Sequence, residues 1–221
     1  MMICPDTFYE MRLKGKTPEQ IMSVIRGLKQ EIGKLKNFME HPDYKYREWA
    51  VQPSEDVQIA CNRLYLEKAK QTLIEAGGTY TLSAAEQKTI SFNNDIPHIR
   101  KVVFSIGGFF GGYETKTFTV DGDKVHVEIL HTLNPDVSNN TEELDTSSFF
   151  EELKDLHIGE WRKVYDTHRF GIAVMDGTQW ELEIYFSNGR RAAKFHGSNA
   201  YPYNFDRLLD LFEIENEDTG E

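Results

Sequence analysis

Four residues with metal-binding side chains occur at alternating positions in two predicted β-strands. His126 and Glu128 are two positions apart, and so are Glu181 and Glu183. Successive side chains of a strand point to opposite faces, so each pair lies on the polar face of its strand. Imidazole and carboxylate groups bind divalent ions, and the two pairs would form one metal site if the hairpins that carry them were adjacent. A solvated sheet face explains the same alternation without a metal.

Residues 106–113, with the sequence IGGFFGGY, form the most unusual segment of the chain. They match no phosphate-binding loop, because no Lys-Ser/Thr pair follows and the next predicted element is a strand instead of a helix. One interpretation is a protruding loop in which Phe109, Phe110 and Tyr113 bind a protein partner, since aromatic side chains often dominate such interfaces. The other is a glycine-permitted turn with the phenylalanines packed in the core.

The sequence gives little support for an enzyme. It has no Gly-x-Ser-x-Gly motif, and neither Cys4 nor Cys61 has a local catalytic pattern. We therefore predict no catalytic residue and no cofactor. The basic residues of the predicted helices offer a nucleic-acid-binding alternative, although a solvated helix face explains them equally; they are Arg26, Lys29, Lys34, Lys36, Arg63, Lys68 and Lys70.

Negative charge is concentrated in the second part of the chain. Residues 1–90 hold 13 Lys/Arg and 12 Asp/Glu, whereas residues 91–221 hold 12 and 24. Binding to nucleic acid requires cationic side chains that neutralise phosphates, so we expect nucleic acid to be an unlikely partner of the second part. A basic protein partner fits its charge better.

The periodicity predicts an α+β fold. Thr17 can cap a helix that ends before His41, Ser54 can cap a second that ends near Gly77, and Ser83 can cap a third. The first two are expected to form a helical hairpin within a helical region of residues 1–95. From residue 96 the period changes to two, which indicates a mostly antiparallel sheet over residues 96–221.

The β-rich region is predicted to be duplicated. Residues 96–157 and 165–214 each contain three predicted strands followed by a helix, with strands of the second at 171–175, 179–186 and 190–195. Within the two predicted helices, which Ser147 or Ser148 and Asn204 can cap, residues 150–156 and 205–211 share the pattern Phe-acid-x-Leu-x-Asp-Leu. The predicted sheet is therefore built from two β-meander-plus-helix units, with both helices on one face.

The segment WELEIYFSNGRRAAKFHGSNAYPYNFDRLLDLF resembles a motif that recurs in uncharacterised bacterial proteins. GGFFGGYE and FYEMRLKGKTPEQIMSVIRGLKQEIGKLKN also resemble stretches of such proteins. The resemblance implies a bacterial or mobile-element origin, a setting in which small acidic proteins inhibit nucleic-acid-binding defence enzymes. It implies no activity and no catalytic residues.

These observations favour a non-enzymatic protein-binding module, an acidic inhibitor of a nucleic-acid-handling protein, over a metal-dependent enzyme or a nucleic-acid-binding protein. The sequence shows no apolar run of the kind found in signal peptides and no stretch near the 18 apolar residues of a membrane span, so we expect a cytoplasmic protein without membrane contact. The oligomeric state is left open.

Overall fold

The computed structural model describes residues 2–46, 51–108, 111–133, 142–174 and 176–214. The chain divides into two compact units, residues 1–82 and 83–221. The boundary lies 13 residues before the predicted one at 95/96, because the third predicted helix belongs to the unit that contains the sheet. Across the described residues, none of the helices has the length and apolar character needed to cross a membrane.

The N-terminal unit contains three helices, α1 (Pro5–Arg12), α2 (Pro18–Met39) and α3 (Glu55–Glu75). Thr17 and Gln20 form the predicted capping box at the start of α2. Ile21, Ile25 and Ile32 lie on the buried stripe of α2, which packs against α3. The first helix, α1, was not predicted from the sequence; it is held to α3 by Phe8, which stacks on Tyr65 with 4.4 Å between ring centroids.

The C-terminal unit contains a seven-stranded sheet and three helices. The elements are α4 (Ala84–Asp95), β1 (Ile99–Gly108), β2 (Gly112–Asp121), β3 (Lys124–His131), β4 (Glu142–Asp145), α5 (Thr146–Asp155), β5 (Val164–Asp166), β6 (Gln179–Phe186), β7 (Ala193–Ser198) and α6 (Phe205–Leu211). The strand order is β4-β3-β2-β1-β6-β7-β5, and only the β5–β7 pair is parallel. This arrangement confirms the predicted α+β class with a mostly antiparallel sheet.

One face of the sheet, the inner face, packs against all three helices of this unit. Phe104 and Leu182 are fully buried there. The ring of Phe118 in β2 contacts aromatic rings from two of these helical segments. Its centroid lies 5.3 Å from that of Phe149 in α5 and 4.5 Å from that of Phe212, the residue after α6. The other face, the outer face, is covered by no helix of the C-terminal unit among the described residues.

The two halves of the sheet differ in strand arrangement. Residues 171–174, part of a predicted strand, are not in a strand, and the short β5 instead pairs in parallel with β7. The buried positions are Phe149 and Leu153 in α5, and Phe205, Leu208 and Leu209 in α6. Leu153 and Leu208, which the sequence pattern aligned, are both buried, whereas Phe150 is only partly buried and Phe205 is buried.

Residues 197–205, which belong to the segment that resembles bacterial proteins, have a structural role within the core. The Trp180 indole N–H donates to the Ala200 carbonyl at 2.9 Å. Gly197 lies against this indole so closely that a Cβ atom would be 2.3 Å from Nε1. Asn204 does not cap α6 with its side chain; it accepts from the Trp161 indole at 3.1 Å and donates to the Leu156 carbonyl at 2.6 Å.

Candidate functional site

The predicted aromatic partner-binding residues lie at the β1–β2 connection. Gly108 pairs with Gly112, so the connection consists of residues 109–111. Phe109 and Phe110 lie outside the described residues, and their role in partner binding stays a prediction. Tyr113 is half-buried on the outer face, where its hydroxyl donates to Gln179 Oε1 at 3.5 Å.

The four predicted metal ligands are placed on strands that are not neighbours. His126 and Glu128 lie on β3, whereas Glu181 and Glu183 lie on β6. Glu128 and Glu183 occupy one transverse row through Thr117 and Val103. Three strand spacings of about 4.8 Å separate them by about 14 Å, too far for a shared ion at about 2 to 2.6 Å from each ligand.

The predicted metal site also lacks support from its immediate surroundings. Among the described residues, no group of three or more His, Cys, Asp or Glu side chains is arranged to hold a metal ion. Glu183 forms an ion pair with Lys194 and accepts a hydrogen bond from the Tyr185 hydroxyl. These two hydrogen bonds, that of Lys194 first, lower the pKa of Glu183. The carboxylate is therefore stabilised by its own sheet neighbours.

Glu181 instead lines an open groove of about 490 Å³ on the outer face. Cross-strand pairing places Ser105 and His196 on either side of Glu181. In the neighbouring transverse row, Ser198 of β7 lies between Gln179 of β6 and Asp166 of β5. The groove thus crosses β1, β6, β7 and β5, and Tyr113 of β2 borders it.

The groove has an anionic lining. Glu181 and Asp166 contribute carboxylates, whereas none of its described lining residues is a lysine or arginine. Asp166 Oδ1 also accepts the Arg169 backbone N–H at 3.3 Å, which fixes the orientation of that carboxylate. The Ser105 hydroxyl is hydrogen-bonded to Thr115 Oγ1 at 3.0 Å and is not bonded to His196. This geometry suits the binding of donor groups better than the activation of a serine nucleophile.

A second acidic area lies on the helices that cover the inner face. Segments 142–157 and 205–221 hold 13 of the 24 acidic residues after position 90 and only 2 basic ones. Six of these acids are exposed on or directly after α5 and α6, and we call them the acidic helical surface: Glu151, Glu152, Asp155, Asp206, Asp210 and Glu213. Both helices pack on the same part of the inner face, because Phe118 contacts Phe149 of α5 and Phe212, the residue directly after α6.

Three of the seven basic residues named for the N-terminal helices lie within 4.0 Å of an acidic side chain. Lys68 Nζ lies 2.9 Å from Asp6, and Lys70 Nζ lies 2.8 Å from Glu67. Lys34 is 3.9 Å from Glu31. These neighbouring carboxylates reduce the positive potential that phosphate binding requires, so the nucleic-acid alternative gains no support.

None of the known protein-family models matches the chain, and neither a curated protein nor a solved structure shows significant similarity to it. The resemblance to bacterial proteins of mobile elements stays a prediction. The groove and the acidic helical surface are therefore the two features of the described residues that bear on function. Strand alternation placed Glu181 on the polar face, but the groove itself was missed because its residues come from strands whose order the sequence does not reveal.

Proposed function

We propose that this protein is a non-enzymatic protein-binding module whose acidic C-terminal unit binds a basic protein partner. The observation that carries the proposal is the acidic helical surface, where six exposed acids lie on or directly after two helices that carry only two basic residues, Lys154 and Arg207. Complementary charge accelerates encounter and selects against partners of the same sign.

Proteins that handle nucleic acids are the partner class that this charge fits. Such proteins present Lys and Arg clusters to phosphates, and an acidic protein surface competes for the same clusters. Binding there would inhibit the partner by blocking access of nucleic acid. The resemblance to bacterial mobile-element proteins favours a defence protein as the target.

Two observations support a binding role over catalysis. The sequence has no motif for an activated serine or cysteine nucleophile. In the groove, the Ser105 hydroxyl is hydrogen-bonded to Thr115, whereas a nucleophilic serine is hydrogen-bonded to an adjacent base. The acidic surfaces need no chemistry to perform the proposed role.

The test is capture of partners from a bacterial lysate by the full chain, at about 0.1 M and about 1 M salt. The screening length falls from about 10 Å to about 3 Å between these conditions. We expect retained proteins to be basic, to be released at high salt and to include nucleic-acid-binding proteins. Retention should be lost when Glu151→Gln, Asp155→Asn, Asp206→Asn and Asp210→Asn are combined.

The matched control removes four exposed acids of the N-terminal unit, by Asp43→Asn, Asp56→Asn, Glu67→Gln and Glu75→Gln. This variant has the same net charge as the test variant and should still retain the basic proteins that the unmodified chain captures. Equal retention by both variants, or capture of no basic protein at low salt, would contradict the proposed function.

A further inference from the structure

The groove on the outer face is separate from the acidic helical surface, because the two lie on opposite faces of the sheet. Its eight solvent-facing side chains come from five strands, and none of them belongs to α5 or α6. They include one aromatic residue, Tyr113, and two carboxylates, Glu181 and Asp166. The groove therefore needs its own ligand assignment.

The charge of the groove selects a cationic ligand. Two carboxylates face solvent without a lysine or arginine among the described lining residues, so phosphates and nucleic acids are repelled. Glu181 and Asp166 lie two strands and two residues apart, or about 12 Å. A single cation cannot contact both carboxylates, whereas an extended peptide with two cationic side chains spans that distance.

The remaining lining favours arginine over lysine. Tyr113 borders the groove, and its side chain reaches across β1 to donate to Gln179 of β6, two residues from Glu181. A guanidinium group at Glu181 can therefore stack on the Tyr113 ring while it donates to the carboxylate. Gln179 and Ser198 lie between Tyr113 and Asp166 in one transverse row and supply further acceptors. The five N–H donors of arginine suit such a spread of acceptors.

We propose that the groove binds an extended, arginine-bearing segment of a basic protein, with one guanidinium at Glu181 beside Tyr113 and a second cation at Asp166. The assignment rests on the proposed function, since it names the part of the partner that is recognised. It adds a second contact area on the face opposite the acidic helical surface.

The test is a binding titration in which the intact protein is added to a labelled peptide of alternating arginine and glycine. Fluorescence anisotropy of the peptide measures binding. The groove variant combines Glu181→Gln and Asp166→Asn; the asparagine keeps an acceptor oxygen for the Arg169 N–H. We expect about a tenfold or greater loss of affinity, because both charge-assisted hydrogen bonds are lost. Ser198→Arg, which introduces a cation into the groove, should also block the peptide.

The matched control is Glu128→Gln with Asp121→Asn, which removes two exposed acids from the same sheet face outside the groove. This control should bind the peptide as the unmodified protein does. Equal affinity of the groove variant and the control would overturn the assignment, and so would binding of a neutral oligosaccharide that is unaffected by the loss of both carboxylates.

Failure of the groove assignment is distinguishable from failure of the proposed function. If the combined substitutions on α5 and α6 abolish capture of basic proteins while the groove variant captures and binds normally, only the groove assignment fails. If no basic protein or arginine peptide binds any form of the chain, both fail.

Discussion

Asn204 is the residue through which three parts of the C-terminal unit are joined. Asn204 directly precedes α6, and its side chain is buried. The amide accepts from the Trp161 indole and donates to the carbonyl of Leu156, the residue after α5. Buried polar groups are stable only when their hydrogen bonds are satisfied. The amide therefore fixes the spacing of α5 and α6, the two helices that present the acidic helical surface.

We expect Asn204→Ala to lower the free energy of unfolding by about 2 to 4 kcal/mol, because it leaves both the Trp161 N–H and the Leu156 carbonyl without their partner. Chemical denaturation with an unchanged m value measures this loss. Arg207→Ala, an exposed change on the same helix, should stay within about 0.5 kcal/mol of the unmodified protein. A loss for Asn204→Ala as small as this control would contradict the role of the amide.

At the scale of elements, α4 is fastened to the β6–β7 hairpin by an ion pair. Arg190, after the β6–β7 turn, pairs with Asp95 at the end of α4 and donates to the Ser91 carbonyl at 3.0 Å. Its guanidinium also lies over the rings of Phe92 and Phe186, at 5.5 and 5.0 Å from their centroids. Arg190 thus holds α4 to the β6–β7 hairpin by an ion pair and by cation–π contacts.

This ion pair predicts a loss of stability in acid. Burial alone would raise the pKa of Asp95, but hydrogen bonds from Asn188 and Arg190 outweigh it and the pKa is lowered. A carboxyl group whose pKa is lower in the folded state stabilises the fold above its unfolded pKa of about 3.9, and this contribution is lost as the pH falls through the folded value. The stabilisation is therefore expected to be present in full at about pH 6 and to be smaller at about pH 3, below the unfolded pKa.

The measurement is denaturant unfolding of the unmodified protein and of Asp95→Asn at both pH values. We expect the variant to be less stable at about pH 6 and the difference between the two proteins to shrink in acid. Asp123→Asn, which removes an acid from the β2–β3 turn, serves as the control. A difference that is constant across the pH range would contradict the assignment of the titrating group to Asp95.

On the scale of the whole molecule, the acidic charge and the larger core belong to the same unit. The core cluster that extends from Phe92 to Phe212 is formed within residues 83–221. These residues also carry the excess of acidic side chains, including both candidate binding surfaces. A segment of about 140 residues is within the usual size of an independently folding domain.

Residues 83–221, produced alone, are therefore expected to unfold cooperatively and to keep the binding of basic partners. Circular dichroism during denaturation, together with the capture assay, tests both expectations. Leu182→Ala in this fragment should lower its stability by about 2 to 5 kcal/mol, because it opens a cavity in a fully buried site. A fragment that lacks a cooperative transition would show that its fold depends on residues 1–82.

The sequence by itself determined the class of fold and the main elements. The capping boxes at Thr17 and Ser83 and the change of period near residue 100 are local signals, because caps and alternation depend on neighbours within a few residues. The same signals placed Glu181 and His126 on the polar sheet face. They also showed that the acidic charge belongs to the β-rich part.

Tertiary structure alone decided which of these residues meet. The pairing of β1 with β6 separates His126 from Glu181, and the parallel pairing of β5 with β7 brings Asp166 beside Ser198. Strand order depends on which faces the whole core can bury at once, a property that no local pattern contains. The same collective packing placed Asn204 between Trp161 and Leu156, where its amide bonds within the core instead of capping a helix.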